Sequence, residues 1–584
     1  LGGVWYAATA RCGCALLLCV LSTSREEFAM LRRSRTLWAQ PAALGVALTF
    51  CTLTLTGCPE DPDDPKSWIS KLDNPREQKE ALRQLTRLKE KAEPAYEALA
   101  AKFKKSPDSE VLRVIAKIRT EKAVELLAEQ LDFSEEAFDN AIIAANGLQE
   151  LAERDDKGRE AAKGAVAALK KAASKKMSIR SRANVARIEA IKSLAAIKDP
   201  SSVDTLNEIL ETSADDQDFF INKTTAKVLA EFADPKSTKS LIRGLWMTGR
   251  GNDMFQECRL GLVRIGESAV EPLVETLQRK NANVEADGKK YKFVPGIIVQ
   301  KAAILLGDLR SKKAIPALLA ELAKKDEGLG TGPDGMPGVS GHQAILQSLG
   351  QIGDPSATKT IIGVLSDAKR DPKHRAAAAE GLNMLGDATA MPILLQMSKT
   401  PFLTPPKNKD EMPELDTNKA TLVAYAVTQF SRLTDKDESA VLDPIYKTIP
   451  ADIVDIKKYF ETAIIRTKVA AECKKDIACF DKYLGMPADA EAKVENSPKA
   501  ERAAFSLSRL GHDAVPTLKK YVGHKDTAVR SAVMFALTRT ATKADKDVLQ
   551  AIADQIEKDR TRDKQGQALA EEARVTYAII SNRS

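Results

Sequence analysis

Three stretches of this chain are variants of one pattern: Leu194-Ala195-Ala196-Ile197-Lys198-Asp199-Pro200, Leu229-Ala230-Glu231-Phe232-Ala233-Asp234-Pro235 and Leu349-Gly350-Gln351-Ile352-Gly353-Asp354-Pro355. Shorter forms recur at Leu305-Leu306-Gly307-Asp308, Met384-Leu385-Gly386-Asp387, Leu262 to Glu267 and Leu507 to Asp513. A second apolar segment follows each, such as Val203/Leu206/Leu210, Val270/Leu273/Leu277 and Ile315/Leu318/Leu322. Leucine at i, i+3 and i+4 predicts an amphipathic helix. Glycine stops it in the left-handed region. Aspartate then caps the next helix, and proline fits its first turn. The turn aspartates 199, 234, 308, 354 and 387 are spaced 35, 74, 46 and 33, and the gap of 74 holds the Gly266 turn. Each unit is therefore helix, tight turn, helix, about 33–47 residues long. One such pair cannot bury its apolar face alone, so pairs must stack.

These turns, with Asp526-x-x-Val529-Arg530-x-Ala532, resemble the HEAT repeat, in particular its phycobilisome-lyase-like subgroup. The resemblance implies an all-α fold, a solenoid of stacked helix–turn–helix units wound as a right-handed superhelix with a long concave surface. It also implies a structural ladder of Asp and Arg side chains between units, with Arg187, Arg375 and Arg530 in that role. The units are clearest over 185–400 and 498–556, whereas 66–180 and 417–485 are helical with blurred turns.

Composition agrees. Of 584 residues, 43% are hydrophobic, 29% charged and only 5% aromatic, which excludes a disordered chain, a multi-span membrane protein and a β-rich fold. A net charge of +7 is mild for this length and argues against a nucleic-acid binder.

The first 66 residues stand apart. Met30 opens a basic stretch (Arg32, Arg33, Arg35), an apolar run follows from Ala42 to Leu55, and Leu55-Thr56-Gly57-Cys58 closes it. This is the layout of an export signal. The last four residues resemble the lipobox of bacterial lipoproteins, which implies lipid attachment at Cys58. The expected organisation is an over-extended gene start at 1–29, a signal peptide at 30–57, an acidic, proline-rich tether at 58–66 and the solenoid from 67 to 584. Pro59, where aspartate favours inner-membrane retention in resembling lipoproteins, points to the outer membrane. The expected location is the periplasm-facing side of that membrane.

Beyond Cys58 the mature chain keeps Cys258, Cys473 and Cys479. Export places them in an oxidising compartment. Cys473 and Cys479 on one straight helix would be about 9 Å apart. A turn at Lys474 to Ala478, with Asp476 capping a new helix, brings them into bonding range, and a disulfide is expected. Cys258 sits at helical spacing and reads as a buried free thiol.

Three inserts break the rhythm: 281–296, with Tyr291 and Phe293; 326–341, with six glycines and two prolines; and 400–416, with Pro401, Pro405, Pro406 and Pro413. Such inserts often line a binding face. Lys163, Lys170, Lys171, Lys175, Lys176, Arg180, Arg182 and Arg187 fall in a stretch without an acid, 161–188. The first seven form a candidate patch for an anionic partner.

Catalytic signatures are missing. Enzymes that this repeat class resembles are phycobilin lyases and deoxyhypusine hydroxylase, and the latter binds iron through His-Glu dipeptides. The four histidines here, His342, His374, His512 and His524, are never followed by Glu. Gly330-x-Gly332-x-x-Gly335 follows a lysine-rich helix, not the strand a dinucleotide fingerprint needs, and Asp326 and Asp334 lack EF-hand spacing. No catalytic residue, metal, cofactor, nucleic acid or small-molecule substrate is expected. The reading is a lipid-anchored envelope scaffold that binds protein partners. A lyase-type enzyme or enzyme accessory and a structural spacer are the alternatives.

Overall fold

The computed structural model describes residues 61–332, 335, 337–404, 414–486 and 496–583. The signal segment, Cys58, residues 1–29, Asp334, Pro405, Pro406 and Pro413 lie outside the described residues.

The repeat turn forms as its residues dictate. Helix Asn184–Ile197 stops at Lys198, whose φ is 58°, and Asp199 accepts from the Ser201 amide at 2.8 Å. Pro200–Ser202 makes one 3₁₀ turn before helix Val203–Glu211. The same order recurs at Ala233–Asp234, Gly353–Asp354 and Gly386–Asp387. Two details differ from expectation. The left-handed stop is as often Arg119, Lys198, Ala233 or Arg310 as glycine. Asp308 is no turn residue either: helix Ile297–Leu309 runs through it, Arg310 is the stop, and Ser311 caps the next turn. Asp308 is buried and holds Arg259 bidentately at 2.6 and 2.9 Å. Gly307 is there for close approach, because a Cβ on it would stand 2.9 Å from Ser348 Cα in helix Gly341–Ile352.

The first helices of successive units pack side by side. Gln78–Leu88, Ser109–Ile118, Asp139–Arg154, Asn184–Ile197 and Phe219–Phe232 form an open arm, each touching its neighbours in sequence. From Phe255–Ile265 onward the array curls. Ile297–Leu309, Gly341–Ile352, Pro372–Leu385, Thr417–Leu433, Val454–Cys473, Asn496–Leu507, Thr527–Thr540 and Lys564–Ser581 follow in order, and the last packs back on Phe255–Ile265. The second region is thus a closed circuit. Two hydrophobic cores meet on its closing helix: Val575 and Ala578 belong to the core that runs from Leu72, while Ala570, Ala573 and Ile580 belong to that of Val469 to Ile556.

Arginines fasten the closure. Arg310 donates to the carbonyl and hydroxyl of Thr538 at 3.2 and 2.6 Å, and Arg583 reaches the same carbonyl at 3.0 Å. Arg509 spans to the Arg432 carbonyl (2.7 Å) and to Asn383 (3.2 Å), and Asn582 donates to the Val263 carbonyl. The carbonyls lie in last helical turns, where the ladder leaves them without an amide partner. The resemblance implies a long concave surface. Over 255–583 these cross-contacts bridge the interior, whereas the arm shows no such bridges among the described residues. Among the described residues, no helix is long and apolar enough to cross a membrane.

Candidate functional site

The basic stretch on the arm resolves into two groups. Lys171 and Lys175 both pair with Asp132, at 3.3 and 2.8 Å, Lys163 pairs with Glu160, and Lys170 donates to the Ser201 carbonyl. Four of the seven candidate cations are thus engaged within the fold. The local run conceals this because Asp132 comes from the preceding unit. Lys176, Arg180 and Arg182 are exposed. Arg187 is buried and serves architecture: it donates to the Ala173 carbonyl and to Gln217, both at 2.9 Å.

The three exposed cations border exposed apolar side chains. Ile179, Val185 and Phe220 keep 37%, 45% and 41% of their surface in water. Arg250, from the tip of the small hairpin that pairs Thr248–Gly249 with Asn252–Asp253, links Ile179 and Phe220. Its guanidinium donates to the Ile179 carbonyl at 3.3 Å, lies 5.8 Å from the Phe220 ring centre and pairs with Asp218 at 3.1 Å. Exposed apolar side chains and exposed cations thus occur close together in sequence and around Arg250 on this part of the arm. The spacing of Lys176, Arg180 and Arg182 was legible in the sequence. Phe220 and Arg250 were not, because other units bring them in.

The inserts act as braces. Residues 282–290 form a helix whose Asp287 holds Arg243 at 2.6 and 3.0 Å; Tyr291 reaches Asp215 at 3.0 Å, and Phe293 stacks on Trp246. In the glycine-rich insert, Val339 donates to the Pro295 carbonyl at 2.9 Å, and Gly296 and Gly328 lie so close to the Val339 carbonyl that a Cβ on either would overlap it. Two inserts therefore lock on each other. The third begins and ends in a two-rung ladder, Leu403–Thr404 against Glu414–Leu415. Cys473 and Cys479 are disulfide-bonded across a turn with Cα atoms 5.3 Å apart, and Asp476 caps the helix Ile477–Leu484. Cys258 is a buried thiol, pushed well above its usual range by burial.

The glycine-rich insert also starts a polar node that no motif announces. His342 and His374 sit in the first turns of adjacent helices, Gly341–Ile352 and Pro372–Leu385, with ring centres 5.1 Å apart. Asp326 closes the node. Its Oδ2 lies 2.8 Å from His374 Nε2 and accepts from Ser340 Oγ at 2.5 Å, while its Oδ1 accepts from the Gly328 amide at 2.9 Å. Burial alone would raise the Asp326 pKa, but the bonds from His374, Ser340 and Gly328 hold it well below the carboxylate range. Burial lowers the His342 pKa, with Asp326 opposing, so this ring is neutral at pH 7. His342 Nδ1 is buried without a well-aligned hydrogen bond, an arrangement that costs up to about 3 kcal/mol. Among the described residues, Asp326, His342 and His374 form the cluster able to hold a metal ion, with ligand atoms all within 4.8 Å of one another. The sequence offered no sign of it, because the ligands are 16 and 32 residues apart in no known spacing. Ser340, His374 and Asp326 do not make a nucleophile relay. A relay uses both ring nitrogens, one for the serine and one for the carboxylate, whereas here both partners face Nε2.

At the closure, a cavity of about 430 Å³ is lined by Arg310, Arg539, Arg583, Glu267 and Asp308 among others. Burial, then the charges of Arg539 and Arg583, push the Arg310 pKa down to about 9.

Helix pairs joined by Asp-capped turns and stacked through their first helices define an all-α solenoid of repeats. The family comparison agrees: the model for HEAT repeats matches residues 341–402 and 492–570, and that for the PBS lyase HEAT-like repeat matches 186–212. Those segments of the chain are therefore HEAT repeats. No curated protein matches the sequence. Similar solved structures include an engineered protein (16% identity over 79% of this chain and 99% of that one, TM-score 0.24). Another is Kap95p with RanGDP (11%, 88% and 79%, 0.39), and a third is human deoxyhypusine hydroxylase in complex with glycerol (14%, 53% and 96%, 0.19). At such identities and scores, none of them bears on what this chain binds.

Proposed function

We propose that the protein is an exported bacterial lipoprotein whose arm docks an acidic protein of the cell envelope without catalysing a reaction. Lipid on Cys58 anchors it to the periplasm-facing side of a membrane, the outer membrane by the Pro59 argument. The arm is the part next to the anchor, so a bound partner is held near the lipid surface. The observation that supports docking is the patch of Ile179, Val185 and Phe220 bordered by Lys176, Arg180, Arg182 and Arg250, on the region that leaves its array open.

The test is cross-linking and mass spectrometry on the full lipoprotein purified in mild detergent. A single acidic partner linked through Lys176 is the expected result. The R180E/R182E/R250E variant should lower its affinity at least about tenfold, more so at low salt. Links scattered over the surface, or capture unchanged by the charge reversal, would refute the docking patch. Anchoring is tested separately: Cys58→Ser should abolish incorporation of a labelled fatty acid.

A further inference from the structure

We propose that Asp326, His342 and His374 bind one divalent transition-metal ion of the zinc class, which staples the glycine-rich insert to the first turns of two successive helices. The donor set comes first. Two imidazoles and one carboxylate are nitrogen and oxygen ligands that zinc, cobalt(II) and iron(II) accept, whereas calcium and magnesium need an oxygen shell. The geometry comes second. An ion about 2.0–2.1 Å from each ligand in a tetrahedral site holds them roughly 3.4 Å apart. Here the ligand atoms lie within 4.8 Å of one another, and the Asp326–His374 pair stands at 2.8 Å. Small ring rotations, parting that pair and drawing His342 inward, reach the required spacing. The third observation is His342 Nδ1, which makes no well-aligned hydrogen bond, although the Glu321 carbonyl lies near the ring, on a residue with an exposure of 3%. Burial of a polar atom without a well-aligned bond is what a ligand would relieve.

The surroundings fit a structural ion. Asp326, His342 and His374 expose 6%, 3% and 2% of their surface, so a substrate has no approach to an ion among them. Ser340 Oγ, 2.5 Å from Asp326 Oδ2 and 3.0 Å from His374 Nε2, is placed as the fourth ligand or as the group that orients the carboxylate. On binding, any proton that His374 Nε2 holds towards the carboxylate moves to Nδ1 or to solvent, and Nε2 presents its lone pair to the ion. Gly328, Val339 and Pro295 then tie the pinned insert to its neighbour.

The experiment uses the full lipoprotein in detergent, stripped with a chelator and dialysed. Zinc or cobalt(II) is then added, and bound ion is measured by elemental analysis after gel filtration. One ion per chain, with the visible absorption of tetrahedral cobalt(II), is expected, together with a rise in Tm on adding zinc. His342→Gln should lower affinity at least tenfold and remove both the cobalt band and the Tm rise. It should fold, since glutamine keeps a polar side chain of similar reach, and circular dichroism checks this. The H512Q/H524Q variant, which alters the two histidines outside the node, should bind as the wild type does. Failure of the wild-type chain to retain an ion, or equal retention by His342→Gln, would overturn the site.

Discussion

The arm (65–254) and the circuit (255–583) are built from the same repeat, yet they are held together differently. In the arm, among the described residues, the first helices pack chiefly on their neighbours in sequence, so stability is close to a sum of unit and nearest-neighbour terms. In the circuit the final helix is wedged between two cores, and Arg310, Arg509 and Arg583 join turns far apart in sequence. Closure converts a quasi-linear array into a unit with no free end. The ion pairs with both partners buried follow this division. Glu501, between Arg432 and Arg466, Arg530 on Asp559 and Arg259 on Asp308 all lie in the circuit.

The largest expected effect is therefore removal of the closing helix. Deleting 563–584 removes the buried side chains of Val575, Ala578 and Ile580 and uncovers the core surface they cover, and each fully buried Val or Ile contributes roughly 1.5–3 kcal/mol. It also removes the Asn582 and Arg583 bonds. Hydrogen exchange should speed up across the whole circuit and stay unchanged in the arm. Faster exchange confined to 527–562 would show that closure is ornamental.

Next is Glu501. Glu501→Ala leaves Arg432 and Arg466 buried without their carboxylate, a change that typically costs about 3–5 kcal/mol. In urea the circuit transition should move to lower concentration and the arm transition should stay. The same residue sets an acid limit. Burial raises the Glu501 pKa, but Arg432 and Arg466 more than offset this and bring it down from 4.5 to about 2. A depressed carboxylate contributes stability above its unfolded pKa and loses it as pH falls through the folded one. The circuit should thus lose stability between pH 4.5 and 2, and Glu501→Gln, already weakened at neutral pH, should lose less over that window. Parallel pH slopes for the two proteins would remove Glu501 from the account.

The contrast also marks what the sequence could reveal. Leu-Gly-x-Ile-Gly-Asp-Pro encodes a unit locally, so helix, turn and cap were legible, as was the turn that joins Cys473 to Cys479. Closure is not local. It rests on Arg310 meeting Thr538 and Asn582 meeting Val263, hundreds of residues apart, and no periodicity carries such pairs. Asp308 misled for the same reason: its partner Arg259 belongs to another unit. The basic run overstated its free charge because Asp132 was out of view, and the Asp326–His342–His374 node stayed hidden because three turns assemble it.

The smallest effect sharpens the comparison most. Asp234 and Asp354 make the same cap, each accepting from the amide two residues on at 2.9 Å. Replacing either with alanine should cost about 1 kcal/mol, the usual worth of a cap. The consequence should differ in reach. In the arm, Asp234→Ala loosens a unit tied chiefly to its neighbours, so faster exchange should be confined to about 219–244, the two helices of that unit. In the circuit, Asp354→Ala acts on helices that cannot open without straining the closure, so the same loss should be shared as a small, even rise in exchange from Phe255 to Ser581. If both variants loosen only their own unit, the circuit is an arm that happens to touch itself, and cooperativity across the closure is wrong.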